Sequence, residues 1–160
     1  MQNRQVKLRQ TEKPDLEFLF QFQLDKEADY LAAFTSKDHT DKEAYIEKFT
    51  KFLNDPTINM HTILVGETIA GSIAKFEIKG DAEITYWIDR SLWGKGIATN
   101  ALKQFLKIET ARPLFGRVAF DNLGSQKILK RCGFDRIGCD KGFSNSRQTE
   151  IEEFIYKLSN

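Results

Sequence analysis

The strongest constraint on this 160-residue chain is a change of period at one place. The stretch Ala82-Glu-Ile-Thr-Tyr-Trp-Ile-Asp89 alternates in the manner of a strand. From Gly96 onward, Ala98, Ala101, Leu102, Phe105 and Leu106 recur at the spacing of one helical face. Gly94-Lys95-Gly96 joins the two. The first N–H groups of a helix lack partners, and its dipole places partial positive charge at that end. Glycine there allows unusual dihedrals and leaves the backbone uncovered. Such a turn is either a plain connection or a seat for phosphate. Two familiar phosphate patterns are excluded. No upstream glycine stands where G-x-x-x-x-G-K-[ST] needs one, and Thr99 occupies the third glycine of G-x-G-x-x-G.

The flanks extend the pattern. Thr62–Val65 and Ile69–Ile78 are rich in β-branched and aromatic residues and are separated by a Gly66-Glu67 turn. Gly80-Asp81 turns again into the Ala82 strand, so three strands joined by short turns are antiparallel neighbours. Upstream, Val6–Arg9 reads as a first strand. Pro14 suits the first turn of a helix carrying Leu16, Leu19, Phe20 and Leu24. Thr40-Asp-Lys-Glu43 has the form of a capping box, with the threonine capping and Glu43 reaching back. The helix it opens has Tyr45, Ile46, Phe49, Phe52 and Leu53 on one face and stops at Asp55-Pro56.

Downstream, Arg117–Phe120 reads as a strand and Ser125–Arg131 as a short helix. Further strands lie around Phe134–Cys139 and Thr149–Leu158. The strand–helix–strand crossover over residues 82–120 makes its two strands parallel. The expected fold is α+β, one domain over residues 1–160. It has a mixed sheet of about seven strands, antiparallel with one central parallel pair, flanked on both faces by about four helices.

Composition narrows the function classes. A formal net charge of +1 supplies no field for nucleic acid or an anionic membrane. No apolar run approaches the ~20 residues of a membrane helix, and MQNRQVKLRQ has no signal-peptide core, so a cytoplasmic location is expected. Cys132 and Cys139 match no zinc or disulfide spacing and read as two buried structural thiols; no metal is expected. His39 and His61 are isolated, with no nucleophilic pair.

The antiparallel strands, the glycine turn, the helix after it and the later short βα unit resemble the GNAT superfamily of N-acetyltransferases. Its acetyl-CoA loop reads [R/Q]-x-x-G-x-[G/A]. Trp93-Gly94-Lys95-Gly96-Ile97-Ala98 matches except for tryptophan at the first position, a substitution familiar in the branch that acetylates ribosomal-protein N-termini. The N-x-x-S of that branch has its counterpart in Asn122-Leu-Gly-Ser125, followed by Gly133-Phe134. The resemblance covers roughly residues 4 to 157. It implies that the strand before the loop and its parallel neighbour splay apart. Pantetheine would lie in the gap, bonded to backbone near Trp87 and Ile88, with pyrophosphate on the N–H groups between Gly94 and Thr99. Acetyl-CoA is thus the implied co-substrate.

Moving an acetyl group from a thioester to an amine requires the ammonium to lose a proton, the oxyanion to be stabilised and the thiolate to leave. Glu83 is the candidate base. It stands in Ala82-Glu-Ile84, ten residues before Trp93, a setting similar to that of the catalytic glutamate of histone acetyltransferases in the superfamily. Glu83, Thr85, Trp87 and Asp89 share one face of their strand; the bland reading of Glu83 is a solvent-facing carboxylate. Many members use a tyrosine as acid where this chain has Leu129. Ser125 either donates to the leaving sulfur or merely sits in a first turn capped by Asn122. Asn122 is otherwise expected to bond pantetheine or a water.

Strand backbone near Ile88 would meet the oxyanion. Lys127, Lys130 and Arg131 form either a seat for the ribose phosphate or a solvated face. Tyr86 and Trp87 read as core residues beside the groove. Phe18, Phe20, Phe22, Phe34 and Phe143 are expected to help line the acceptor site.

The resulting expectation is direct transfer, in a ternary complex, to a primary amine on a protein N-terminus or a small molecule. A non-catalytic acyl-CoA-binding module is the alternative. The protein would be a monomer or homodimer without nucleic-acid or membrane partners.

Overall fold

Each alternating stretch becomes a strand and each apolar stripe a helix, with ends displaced by a few residues. The computed structural model describes residues 5–160. The strands are β1 (Val6–Gln10), β2 (Asn59–Val65), β3 (Thr68–Ile78), β4 (Asp81–Ile88), β5 (Leu114–Ala119), β6 (Asp135–Ser144) and β7 (Thr149–Leu158). The helices are α1 (Asp15–Gln23), α2 (Lys26–Ala32), α3 (Lys42–Leu53), α4 (Ile97–Ile108) and α5 (Leu123–Arg131).

Five α-helices lie among the described residues, where about four are expected. The extra one, α2, reads Lys-Glu-Ala-Asp-Tyr-Leu-Ala and has no apolar stripe to announce it. Distant residues hold it in place, as described below.

The sheet order is β1-β2-β3-β4-β5-β7-β6, and β4–β5 is its parallel pair. That pair is short. Ala82, Glu83 and Ile84 register with Leu114, Phe115 and Gly116, and pairing ends there. β4 runs on to Ile88 and β5 to Ala119, so the strands part into a V whose closed end is at Ile84 and Gly116.

Two apolar clusters use the two faces. One joins α4 and α5 to the sheet through Ala101, Leu102, Phe105 and Leu129 against Ile84, Ile88, Leu114 and Tyr156. Leu129 packs so closely on β5 that a Cβ at Gly116 would lie 3.2 Å from it. The other cluster packs Leu16 and Leu19 of α1 and the aromatic face of α3 against Met60 and Ala74.

The α3 cap differs from the capping-box expectation by one position. Asp41 is the cap, accepting from the Ala44 N–H at 3.0 Å. Thr40 instead donates to Asp38 through its hydroxyl (2.6 Å) and its N–H (3.0 Å). Of the two cysteines, Cys132 is half-buried, but Cys139 is exposed, contrary to expectation; β6 is an outer strand with little packed over it.

Candidate active site

The glycine turn has the conformation its residues suggested. Gly94 and Gly96 have φ of 77° and 75°, left-handed values that other residues resist. A Cβ on either would point into open space. Gly96 caps α4 without a side chain, and the first turn contains no acid. The helix's own bonds begin with the Asn100 N–H donating to the Gly96 carbonyl, at 3.0 Å. The N–H groups of Ile97, Ala98 and Thr99 precede it. Ile97 is buried and pins the helix start to the core. Lys95 is exposed at the rim. An uncapped, acid-free helix start behind a glycine turn suits an anion.

Trp93 ties the loop to the strand. Its indole N–H donates to the Ile88 carbonyl at 2.9 Å. The next N–H, on Asp89, is used toward β3, donating to the Ala70 carbonyl at 2.8 Å. In a trans peptide the two groups point in opposite directions, so the carbonyl held by Trp93 lies on the β5 side, at the opening of the V. β3 meanwhile approaches β4 very closely: a Cβ at Gly71 would sit 2.0 Å from the Trp87 carbonyl oxygen.

The V has different chemistry on its two faces. Glu83 pairs across to Phe76 and Phe115 near the closed end, and its side chain is on the α1–α3 side. Burial pushes its carboxyl above the usual carboxylate range. Arg117 opposes that shift, and Glu153 and Asp81 add to it. Arg117 lies 3.5 Å from Glu83 but gives its short contact, 2.8 Å, to Glu153. Glu83 is therefore only loosely held by Arg117.

On the opposite face, Tyr86 is two residues beyond the last β4–β5 pair. Its hydroxyl is 2.6 Å from Ser125 Oγ, and it also donates to the Ser125 carbonyl at 3.3 Å. Burial raises the Tyr86 pKa and keeps the phenol a neutral donor. Ser125 and Leu129 lie on one helical face, so the packing of Leu129 on Gly116 brings Ser125 over the gap. Asn122 is the cap of α5: its Oδ1 accepts from the Ser125 N–H at 3.3 Å, and its Nδ2 donates to the Leu31 carbonyl at 3.4 Å.

Of the sequence-predicted residues, Glu83 lies by the closed end of the V, Ser125 on the opposite face beside Tyr86, and the Trp93–Thr99 loop past the end of β4. Sequence reasoning assigned Tyr86 to the core and missed its pairing with Ser125. A signal was present: Tyr86 alternates with Ile84 and Ile88, so its hydroxyl had to find a partner among helix residues. Two of the five phenylalanines are not on the acceptor side. Phe20 is buried against Tyr45, with ring centroids 5.3 Å apart. Phe143 alternates away from Gly142, against which Phe34 packs on the Glu83 face. The basic residues Lys127, Lys130 and Arg131 are exposed on α5.

The family model for the acetyltransferase (GNAT) domain matches residues 5–135. The chain belongs to the GNAT acetyltransferase family. A comparison with curated proteins returns no match.

Among solved structures, this GNAT chain is similar to RimL, a ribosomal-protein alpha-N-acetyltransferase in complex with coenzyme A. The TM-score is 0.82 at 21% identity, over 96% of this chain and 93% of that one. It is also similar to the microcin C7 self-immunity acetyltransferase MccE, in complex with acetyl-CoA and AMP. There the TM-score is 0.79 at 19% identity, covering 99% and 94%. A ribosomal-protein alanine acetyltransferase from Vibrio fischeri gives 0.79 at 15%, covering 100% and 96%. At these identities the likeness is one of fold, and the seven-stranded sheet with one parallel pair is that fold.

Proposed function

We propose that this GNAT protein transfers the acetyl group of acetyl-CoA directly to a primary amine, both substrates being bound together. The observation that carries the reading is the uncapped α4 start at the mouth of a V with a carboxylate on one face and a paired hydroxyl on the other. The N–H groups of Gly94 to Thr99 hold the pyrophosphate, and pantetheine lies between β4 and β5 past Trp87, Ile88 and Asn122. Acetyl-CoA supplies the activated acyl group: its C–S bond breaks as the new C–N bond forms.

Glu83 takes the proton that the acceptor ammonium must lose; its raised pKa brings it nearer the working pH of a base. Backbone N–H groups of β4 beyond Ile84, unpaired on the β5 side, meet the acyl oxygen. Ser125, with Tyr86 behind it, returns a proton to the departing sulfur.

The test begins with thermal unfolding in acetyl-CoA, CoA and ATP. A ligand at about 100 times its Kd adds about 2.7 kcal/mol, a rise of roughly 5–10 °C for a chain of this size. The rise is expected with acetyl-CoA and CoA and not with ATP. Thiol release with primary amines follows. Glu83→Gln should reduce turnover about 100-fold or more while leaving the CoA-induced rise intact. Because burial raises the Glu83 pKa, the acid limb of the turnover profile should lie above the ordinary carboxylate range and vanish in Glu83→Gln. Turnover indifferent to this change would remove Glu83 from the chemistry. A CoA-induced rise without thiol release from any amine would favour a binding module.

A further inference from the structure

Three buried polar atoms on the Glu83 side of the V have no hydrogen-bond partner among the described residues: Asp29 Oδ1, Thr35 Oγ1 and Trp87 Nε1. Trp87 shares the strand face of Glu83 and Thr85. Asp29 belongs to α2, and Thr35 follows that helix.

The ties of α2 show where it runs. At its start, Arg90, just past the tip of β4, pairs with Asp25 at 2.8 Å and Glu27 at 3.0 Å. At its end, Asn122, past the tip of β5, donates to the Leu31 carbonyl. Beside it, Arg147 donates to the Tyr30 carbonyl at 3.0 Å and clasps Asp121 through two bonds of 2.7 Å. α2 thus crosses the open end of the V from one lip to the other. It does so on the Glu83 face, where Phe34 packs against Gly142.

Asp29 and Ala28 form the buried side of this crossing helix. Asp29 is only 7% exposed, and no cation pairs with it among the described residues. Its neighbours Asp25 and Glu27 both have Arg90. Burying a carboxylate without a counter-charge opposes folding. The two cations that hold α2 are already engaged, Arg90 by Asp25 and Glu27 and Arg147 by Asp121.

We propose that Asp29 is a specificity-determining residue that binds a positive charge on the acceptor, in addition to the amine that is acetylated. This rests on the acetyltransferase reading above. The second charge follows from spacing. The reacting nitrogen belongs near Glu83, at the closed end. Four residue steps of β4 run from Ile84 to Ile88, roughly 13 Å of strand, before the tips that α2 spans. The Trp87 indole N–H and the Thr35 hydroxyl, both buried without a partner among the described residues, suit neutral polar groups of the same molecule. A small diamine and a peptide with a basic side chain both carry this chemistry.

The experiment compares matched acceptors on wild type and Asp29→Asn. Putrescine is set against aminobutanol, and the dipeptide Ala-Lys against Ala-norleucine. Wild type should prefer the charged member of one pair by about tenfold or more in kcat/KM, and that pair identifies the source of the charge. Asp29→Asn should abolish the preference by raising KM for the charged member, leaving the neutral one and the CoA-induced rise unchanged.

The same pairs are then compared by thermal shift on the CoA-bound wild type, which needs neither turnover nor the variant to fold. Equal response to charged and neutral partners in both assays overturns the proposal. So does an Asp29→Asn variant that keeps the preference. Loss of the acetyltransferase reading would appear separately, as absent CoA binding or absent thiol release.

Discussion

α4 and α5 pack on the same face of the sheet and begin in opposite ways. α5 is closed by the Asn122 side chain, and its first turn presents a side chain, Ser125, to the gap. α4 starts at a left-handed glycine with no side-chain cap and no acid in its first turn, so what it presents is backbone. The other three helices resemble α5 more than α4: Asp25 and Asp41 cap α2 and α3, and α1 opens with Asp15 and Glu17. Three helix starts are closed by a side-chain cap and α1, without one, carries two acids in its first turn; α4 has neither, which suits an anion there. On the function proposed above, the contrast divides the labour as well, α4 holding the co-substrate and α5 serving the reaction.

The largest effect should come from the reactive side. Ser125→Ala is expected to lower turnover about 100-fold while leaving the CoA-induced rise in Tm unchanged. Tyr86→Phe should act comparably, and the double variant should be little worse than either single one, because the two hydroxyls are hydrogen-bonded and act as a unit. Full additivity of the two losses would separate the pair.

Next comes the open helix start. Gly96→Val forces a β-branched residue to φ near 75°, which costs about 1–2 kcal/mol and places a side chain where the anion belongs. CoA affinity should fall at least in that proportion, read by titration. If CoA binds Gly96→Val as well as it binds wild type, the comparison between the two helices collapses.

The smallest effects concern the closed starts. Asn122→Ala and Asp41→Ala should each lower stability by about 1 kcal/mol in denaturant melts, with CoA affinity untouched by the second. Thr40→Ala should cost only a few tenths of a kcal/mol, as expected of an exposed surface substitution. A Thr40→Ala variant as destabilised as Asp41→Ala would restore the capping box.

Legibility followed the range of the interaction. The glycine turn, the α4 stripe and the antiparallel run from β2 to β4 were all readable, since each depends on neighbours a few residues away. The face of Glu83 was readable from alternation alone. α2 was not, because its charged sequence has no stripe and its position depends on Arg90, Asn122 and Arg147. The α3 cap was misread by one residue, since Asp38 and Asp41 compete with Thr40 and Glu43 within a few positions. Phe20 and Phe143 were assigned to the acceptor side on residue type, which does not report the face on which a ring sits.

The amino-acid sequence by itself determined the elements, the parallel crossover and the backbone chemistry of the turn at Gly94–Gly96. Local dihedral preference and apolar period suffice for these. Only the tertiary structure decided where β4 and β5 part, that Tyr86 meets Ser125 from 39 positions away, that Trp93 takes the Ile88 carbonyl, and that Asp29 Oδ1 is buried with no partner among the described residues. The physical reason is common to all four. Each depends on which polar groups lose their water when distant segments pack, and no local pattern records that loss.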